Sequence, residues 1–138
     1  MCAHARHKAS PCLLPLRRAA PTARGAPRDV YLCACRSCRK KSGSAFTHAA
    51  IFRAEEVSVE GAPGTFRYRG ESGRWIENNF CTACGGYLFF RAEVFPRHIG
   101  VNAGAVAEDV GPPRRMYWAS RRPGWLCVPE GVEAVETQ

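Results

Sequence analysis

The chain has 138 residues, a length typical of one domain, and 46% of them are hydrophobic, which is enough for a core. No apolar run approaches the roughly 20 residues of a membrane-spanning helix, so we expect no membrane partner. The formal net charge is +8, but residues 1–41 carry ten Lys or Arg and one acid, whereas residues 42–138 carry ten Lys or Arg and eleven acids. Because the body of the domain is near neutral, we do not predict a nucleic-acid partner.

The first 26 residues are rich in Ala, Arg and Pro, and they contain almost no β-branched or aromatic residue. Pro11, Pro15 and Pro21 resist both strand and regular helix. We therefore predict a basic, disordered or aberrant segment over residues 1–26 and a folded domain over residues 27–133. An Arg-rich transit peptide is the alternative, although serines and threonines are scarce there.

From residue 29 onward, short apolar or alternating runs follow one another, separated by turns rich in Gly and Pro. The runs lie at 30–32, 49–52, 57–59, 66–68, 87–90, 99–101 and 116–118. Many short strands punctuated by turn residues predict a mainly β fold, as a sandwich, barrel or tent. A short helix is possible at 54–57 or at 105–110.

Five of the eight cysteines lie in two short motifs, Cys33-x-Cys35-x2-Cys38 and Cys81-x2-Cys84. Thiolates this close in sequence suit a soft divalent metal, with zinc as the first candidate. An extended Cys-x-Cys would point its two thiols to opposite faces of a sheet, so the strand must break between Cys33 and Cys35. Three thiolates leave one coordination position of zinc open, as catalytic zinc sites do.

The alternative to metal binding is disulfide formation. The N-terminal region has no secretory h-region, because its short apolar stretch is broken by Pro11 and Pro15. We therefore expect a reducing compartment, the cytoplasm, in which thiolates bind metal rather than pair.

The motifs, read in chain order, resemble those of a known family. They are Cys33-Ala34-Cys35-Arg36-Ser37-Cys38-Arg39-Lys40-Lys41-Ser42-Gly43, then Phe80-Cys81-Thr82-Ala83-Cys84-Gly85, then Val101-Asn102-Ala103-Gly104, then Trp125. This order is similar to that of the glutathione-dependent formaldehyde-activating family, which also contains centromere protein V. The likeness runs from about residue 27 to about residue 131.

The resemblance implies a fold, two metal sites and an activity. The fold is a β-tent of stacked antiparallel sheets around zinc-binding cysteine motifs. Cys33, Cys35 and Cys38 would hold a zinc ion at the substrate cleft, while Cys81 and Cys84 would belong to a four-cysteine structural site. The implied activity is that of a carbon–sulfur lyase on a glutathione–aldehyde adduct or a related thiol conjugate. Centromere protein V suggests the alternative, a non-enzymatic zinc module that binds another macromolecule.

The chain departs from the family pattern before the first motif. The family has a Ser-Cys-x-Cys-Gly strand about twenty residues upstream, and here Cys12 matches its first cysteine while Leu14 and Pro15 replace the second cysteine and the glycine. Cys12 is therefore the one candidate for a third ligand beside Cys81 and Cys84, and we expect fewer than two bound zinc ions. A reading-frame error, a misplaced start or a diverged, inactive member would each explain the departure.

Four cations lie within or directly after the first motif: Arg36, Arg39, Lys40 and Lys41. Zinc with three thiolates carries a formal charge of −1, so these cations are candidates to offset that charge or to hold the carboxylates of a glutathione-like ligand. The alternative is a structural zinc with a solvated basic rim. The sequence assigns no catalytic residue and no oligomeric state.

Overall fold

A computed structural model describes residues 19–137. The described chain contains ten strands, one α-helix and three 3₁₀ turns. The strands are β1 (Ala20–Ala23), β2 (Asp29–Cys33), β3 (Thr47–Arg53), β4 (Val57–Glu60), β5 (Gly64–Arg69), β6 (Trp75–Phe80), β7 (Tyr87–Ala92), β8 (His98–Asn102), β9 (Arg115–Tyr117) and β10 (Glu133–Val135). The helix α1 is Arg36–Ser42, and the 3₁₀ turns are Ala54–Glu56, Ala103–Ala105 and Ala119–Arg121.

The strands form two sheets. Eight of them make one sheet in the order β10-β9-β2-β3-β8-β7-β6-β5, and β1 pairs with β4 in a separate ribbon. The predicted mainly β fold of stacked sheets is confirmed. The pairs β2–β9 and β9–β10 are parallel, which adds a mixed edge to an otherwise antiparallel sheet.

The alternation along the strands buries both faces of the large sheet. Val30, Ala50 and Phe52 enter a core on one face, against which Val57 and Val59 of the ribbon pack. Tyr31 and Ala49, one residue out of phase, enter a second core with Tyr87 and Phe90 on the other face. Because side chains alternate with a period of two, one strand contributes to both layers.

The seven predicted strands correspond to β2, β3, β4, β5, β7, β8 and β9. Strand β6 was not predicted, because the centre of its sequence Trp-Ile-Glu-Asn-Asn-Phe is polar and breaks the alternation. It is held between β5 and β7 by antiparallel pairing on both sides. Of the two places where a short helix was possible, 54–57 contains a 3₁₀ turn, Ala54–Glu56, whereas at 105–110 the structure has only the end of the 3₁₀ turn Ala103–Ala105.

The prediction that residues 1–26 are disordered is wrong for the part of that segment that the structure describes. Ala20–Ala23 form β1, which pairs antiparallel with β4, and Ala19 is buried in the first core. Pro21 is tolerated in this strand because the ribbon has only two strands, so a missing N–H can face away from the partner. Residues 1–18 lie outside the described residues. The ordered sheet also passes the predicted end at residue 133, because β10 reaches Val135.

None of the helices in residues 19–137 has the length and apolar character needed to cross a membrane.

Candidate metal centre

The first cysteine motif brings three thiols to one point. Cys33 is the last residue of β2, Cys35 is the N-cap of α1, and Cys38 lies in the first turns of that helix. The three sulfur atoms all lie within 4.8 Å of one another. The predicted break of the strand between Cys33 and Cys35 and the predicted convergence of the three thiols are both confirmed. Their role as metal ligands stays a prediction.

The backbone around the motif is fixed by local hydrogen bonds. The Cys35 sulfur accepts a hydrogen bond from the Cys38 N–H at 3.4 Å, in the position that an Ser or Asp side chain usually takes at a helix N-terminus. The carbonyl oxygen of Cys38 accepts hydrogen bonds from Thr47 Oγ1 at 2.8 Å and from Ser42 Oγ at 2.9 Å. Gly43 ends the helix in the left-handed region, with φ of 61°. The short helix is therefore tied to β3 directly behind the thiols.

The thiols share protons with one another. Hydrogen bonds from the Cys33 and Cys38 thiols hold the pKa of Cys35 well below its ordinary value. The pKa of Cys33 is raised because its thiol is hydrogen-bonded to Cys35 and Cys38 and is buried. This arrangement favours the thiolate form at Cys35 and the neutral form at Cys33. A metal ion that displaces the remaining thiol protons would satisfy all three sulfurs.

The three thiols fit a tetrahedral metal. Zn–S bonds of about 2.3 Å place the sulfurs of a tetrahedral site roughly 3.8 Å apart, which the observed cluster accommodates with small side-chain rotations. Cys33 is fully buried, while Cys35 and Cys38 line a cavity of about 500 Å³. A metal bound to these thiols would therefore present its open position to that cavity.

Aromatic side chains from distant strands form the cavity. Tyr31 of β2 and Tyr68 of β5 both line it, although five positions separate these strands in the sheet. The sheet must therefore curl strongly. Trp118 also lines the cavity, and its φ of 53° places a bulky residue in the left-handed region, where backbone strain often marks functional sites.

One cation faces this cavity from α1. The Lys41 ammonium lies 4.4 Å from the ring centroid of Phe90 and 4.8 Å from that of Tyr87. Burial lowers the pKa of Lys41, and the charge of Cys38 opposes that effect. The Tyr87 hydroxyl is buried and has no hydrogen-bond partner among residues 19–137. Lys41 is therefore held by aromatic faces rather than by a carboxylate, close to the thiols.

The second motif makes a tight turn with one buried and one exposed thiol. Cys81 is buried and Cys84 is exposed. The Gly85 N–H donates to the Cys81 carbonyl at 2.7 Å, and Gly85 has a φ of 72°. Backbone N–H groups of Cys84 and Ala83 point at the Cys81 sulfur and lower its pKa to about 7. These features are typical of half of a zinc site.

No third Cys, His, Asp or Glu joins Cys81 and Cys84 among the described residues. The backbone N–H of Ala19 also donates to the Cys81 sulfur, so the chain reaches the second motif just after the segment that contains Cys12. Cys12 itself lies outside the described residues, and its assignment as a ligand stays a prediction.

Comparison with known proteins places this arrangement in a family. The model of the family described as glutathione-dependent formaldehyde-activating enzyme matches residues 18–121, which include both cysteine motifs. The chain belongs to this family. A solved structure of a Rhodobacter sphaeroides protein is 25% identical, with a TM-score of 0.49, and the match covers 70% of this chain and 84% of that one. No curated protein matches the sequence.

The basic residues within and directly after the first motif do not all line the cavity. Of the four cations that the sequence placed around the thiols, Lys41 lines the cavity and Arg36, Arg39 and Lys40 line a different groove. The prediction that these cations offset the zinc charge or hold the carboxylates of a ligand stays untested, but Arg36, Arg39 and Lys40 do not line the cavity beside the thiols. The cause is the helical period, which turns residues 36, 39 and 40 away from the face that carries Cys38 and Lys41.

Sequence reasoning also missed Tyr31, Ser37 and Tyr68 as cavity residues. Tyr31 could have been predicted from the alternation of side chains along a strand, because it lies two residues before Cys33 and therefore shares its face of β2. Tyr68 gave no such signal, since its place depends on the curl of the whole sheet.

Proposed function

We propose that this protein is a zinc-dependent enzyme of carbon–sulfur lyase type that acts on a glutathione–aldehyde adduct or a related thiol conjugate. The observation that supports this most is that two of three converging thiols face a cavity that is also lined by the partly buried Lys41. Three sulfur donors favour zinc over harder divalent metals. The cavity volume of about 500 Å³ lies within the usual range of small-molecule sites. We place the enzyme in the cytoplasm, where thiols stay reduced.

In the proposed reaction, the carbon–sulfur bond of the hydroxyalkyl thioether breaks, its hydroxyl loses a proton and an aldehyde leaves, while the sulfur keeps the bonding electrons. Zinc, when bound by Cys33, Cys35 and Cys38, would supply a Lewis acid for the departing sulfur. The reverse reaction adds the thiolate to the aldehyde. Each direction moves one proton between the hydroxyl oxygen and the sulfur.

Residues of this chain can handle the charge and the proton. The Lys41 ammonium provides a positive charge beside the place where sulfur becomes anionic. The Tyr68 hydroxyl is hydrogen-bonded to Asn78 and Ser37, and burial raises its pKa, so at neutral pH it stays protonated. Tyr68 would therefore orient the substrate oxygen as a hydrogen-bond donor rather than act as a base.

The test is exchange between free and adducted formaldehyde. The zinc-loaded chain is added to glutathione and formaldehyde, and the exchange rate of the adduct methylene is measured by NMR. We expect the protein to accelerate the exchange over the rate in buffer, and Cys35→Ser to abolish this acceleration. Cys127→Ser is the control, because it makes the same change at an exposed cysteine far from both motifs in sequence, and it should retain the acceleration. A zinc-loaded protein that accelerates neither this exchange nor that of related thiols would refute the enzymatic proposal.

The second candidate is a non-enzymatic zinc module for macromolecular interaction. It is favoured by one observation, namely that Arg36, Arg39 and Lys40 form a basic surface outside the cavity. Normal zinc content together with no exchange activity would favour this candidate or an inactive family member.

A further inference from the structure

Helix α1 separates two different grooves. Its Ser37, Cys38 and Lys41 face the cavity beside the thiols, whereas Arg36, Arg39 and Lys40 line a groove of about 430 Å³ on the other side. The second groove is completed by Ser44 and Ala45 after the helix and by Pro123 and Trp125 from the C-terminal part of the chain. It does not include any cysteine of the metal centre.

The three cations of this groove have no acidic partner in the described part of the chain. The four ion pairs there use Arg28, Arg67, Arg115 and Arg121 instead. No Asp or Glu lines the groove. The Nε atom of Arg39 is buried and has no hydrogen-bond partner among these residues. Cations at the end of a helix offset its dipole, which explains Arg39 and Lys40 in part. It does not explain Arg36, which is the first residue of the helix.

Trp125 stands at the edge of the groove with 77% of its surface exposed. The turn that carries it is firmly held, because the Leu126 N–H donates to the Pro123 carbonyl at 3.0 Å and the Arg122 side chain donates to the carbonyls of Leu126 and Ala119, each at 2.6 Å. Exposing a large indole from a fixed turn leaves its apolar faces in water. A flat ligand that stacks on the indole would remove that cost.

We propose that this groove binds a nucleoside phosphate, with the phosphate on Arg36, Arg39 and Lys40 and the base stacked on Trp125. Guanidinium groups bind phosphate oxygens in a bidentate manner, and Arg36 and Arg39 both line the groove. The cations alone would take any anion, but the indole adds a preference for a flat ring. Glutathione has no ring, so this ligand differs from the thiol substrate proposed for the cavity.

The probes are AMP, ATP, adenosine, inorganic phosphate, glutathione and oligo(dT), each titrated by calorimetry into the full-length, zinc-loaded chain. We expect a nucleotide to bind at least about tenfold more tightly than adenosine or phosphate, and the affinity to fall as salt is raised. Arg36→Gln combined with Lys40→Gln should weaken nucleotide binding at least about tenfold. Trp125→Ala should weaken it on the order of tenfold, and Trp125→Phe should restore most of the loss.

Two control variants separate this groove from the rest of the molecule. Arg97→Gln removes an exposed positive charge elsewhere on the surface, and Lys41→Met changes the opposite face of α1. Both should leave nucleotide binding unchanged, and far-UV circular dichroism and zinc content should match the parent in every variant. Retained nucleotide binding in Lys41→Met together with lost formaldehyde exchange would support the groove independently of the lyase proposal.

Four results would overturn the assignment. The first is inorganic phosphate binding as tightly as the nucleotides, and the second is displacement of nucleotide by glutathione. The third is a nucleotide affinity that stays equal to that of the parent in correctly folded variants of Arg36, Lys40 and Trp125. Oligo(dT) binding far more tightly than AMP or ATP, through the same residues, would replace the nucleotide by single-stranded nucleic acid.

Discussion

The two cysteine motifs of this protein look alike in sequence but differ in what surrounds them. The first places three thiols together within six residues, because a strand end, a helix cap and a helical turn follow one another there. The second is a single tight turn that supplies two thiols, one buried and one exposed, and no further ligand among the described residues. A metal site can thus be complete in one short segment or depend on a partner segment far away in the chain.

The pattern of donors also differs. In the first motif, thiols donate to a central thiolate on Cys35. In the second, backbone N–H groups surround Cys81. The thiols of Cys35 and Cys38 in the first motif line a cavity, whereas Cys81 of the second motif directly follows β6 and is buried in the first core. We therefore interpret the first as the reactive site and the second as a structural element.

The largest expected effect is that of Cys35→Ser on metal content. It removes both a proposed metal ligand and the helix cap, so we expect zinc affinity at the first motif to fall by more than about 100-fold. Losing a residue that only supports a ligand costs less, about 10- to 100-fold. Native mass spectrometry of this variant should show the first zinc lost, whereas Cys127→Ser should keep it. Unchanged zinc content in Cys35→Ser would mean that the metal sits elsewhere.

The second motif should hold its metal weakly in the unmodified chain. With Cys12 as the one candidate for a further thiolate, we expect fewer than two tightly bound zinc ions per chain. Structural zinc normally needs four ligands, and its binding free energy contributes directly to folding.

Restoring the missing ligand tests this expectation. Leu14→Cys alone should not restore the site, because Pro15 stays in place and disfavours a strand. Replacing residues 11–15 by a complete Ser-Cys-x-Cys-Gly segment should raise both the zinc content and the Tm. Two tightly held zinc ions in the unmodified chain would contradict the expectation and show that Cys12 or another group completes the site.

Gly100→Ala should damage the core on the side of the first motif. A methyl group at Gly100 would overlap the ring of Phe90, which lies beneath Lys41. Overpacking of this kind costs about 1–3 kcal/mol, so thermal unfolding should shift down by several degrees. Gly124→Ala is the matched control, because no atom lies within 4 Å of the added carbon. Equal Tm values for both variants would show that the Phe90 ring can move aside.

Lys41→Met should separate binding from folding. Removing a partly buried cation that has no carboxylate partner should leave the free energy of unfolding similar or higher, while the affinity for a thiol adduct falls on the order of tenfold. Lys40→Met changes the opposite face of α1 and should alter neither quantity. Calorimetric titration with a stable S-alkyl glutathione measures the effect, and an unchanged affinity in Lys41→Met would exclude a role for this amine in the cavity.

The smallest effect is a difference in thiol reactivity in the zinc-free protein. Because hydrogen bonds from Cys33 and Cys38 lower the pKa of Cys35, this thiol stays ionised at pH 6, whereas the raised pKa of Cys33 keeps that thiol protonated. Iodoacetamide at pH 6 should therefore modify Cys35 before Cys33, as read by peptide mass spectrometry. Added zinc should protect Cys35, and a reversed order would contradict the proton arrangement.

The sequence by itself determined most of the strands and the close approach of the three cysteines in the first motif. Alternation with a period of two is a local property, so most strands from β2 to β9 could be located from their own residues. The convergence of Cys33, Cys35 and Cys38 was also predictable, because the six-residue spacing leaves few backbone paths that bring three thiols together. The resemblance to the family rested on these same local motifs.

The tertiary structure decided which residues share the site and which do not. Tyr68 reaches the cavity because the sheet curls, and β1 is ordered because β4 offers an edge, so neither could be read from a local pattern. The cations after Cys38 divide between two grooves because a helix turns 100° per residue, and their division became clear only once α1 was seen to be a helix. Contacts between residues close in sequence can be predicted from local motifs. The residues that surround a site depend on pairings between distant strands, which local motifs do not specify.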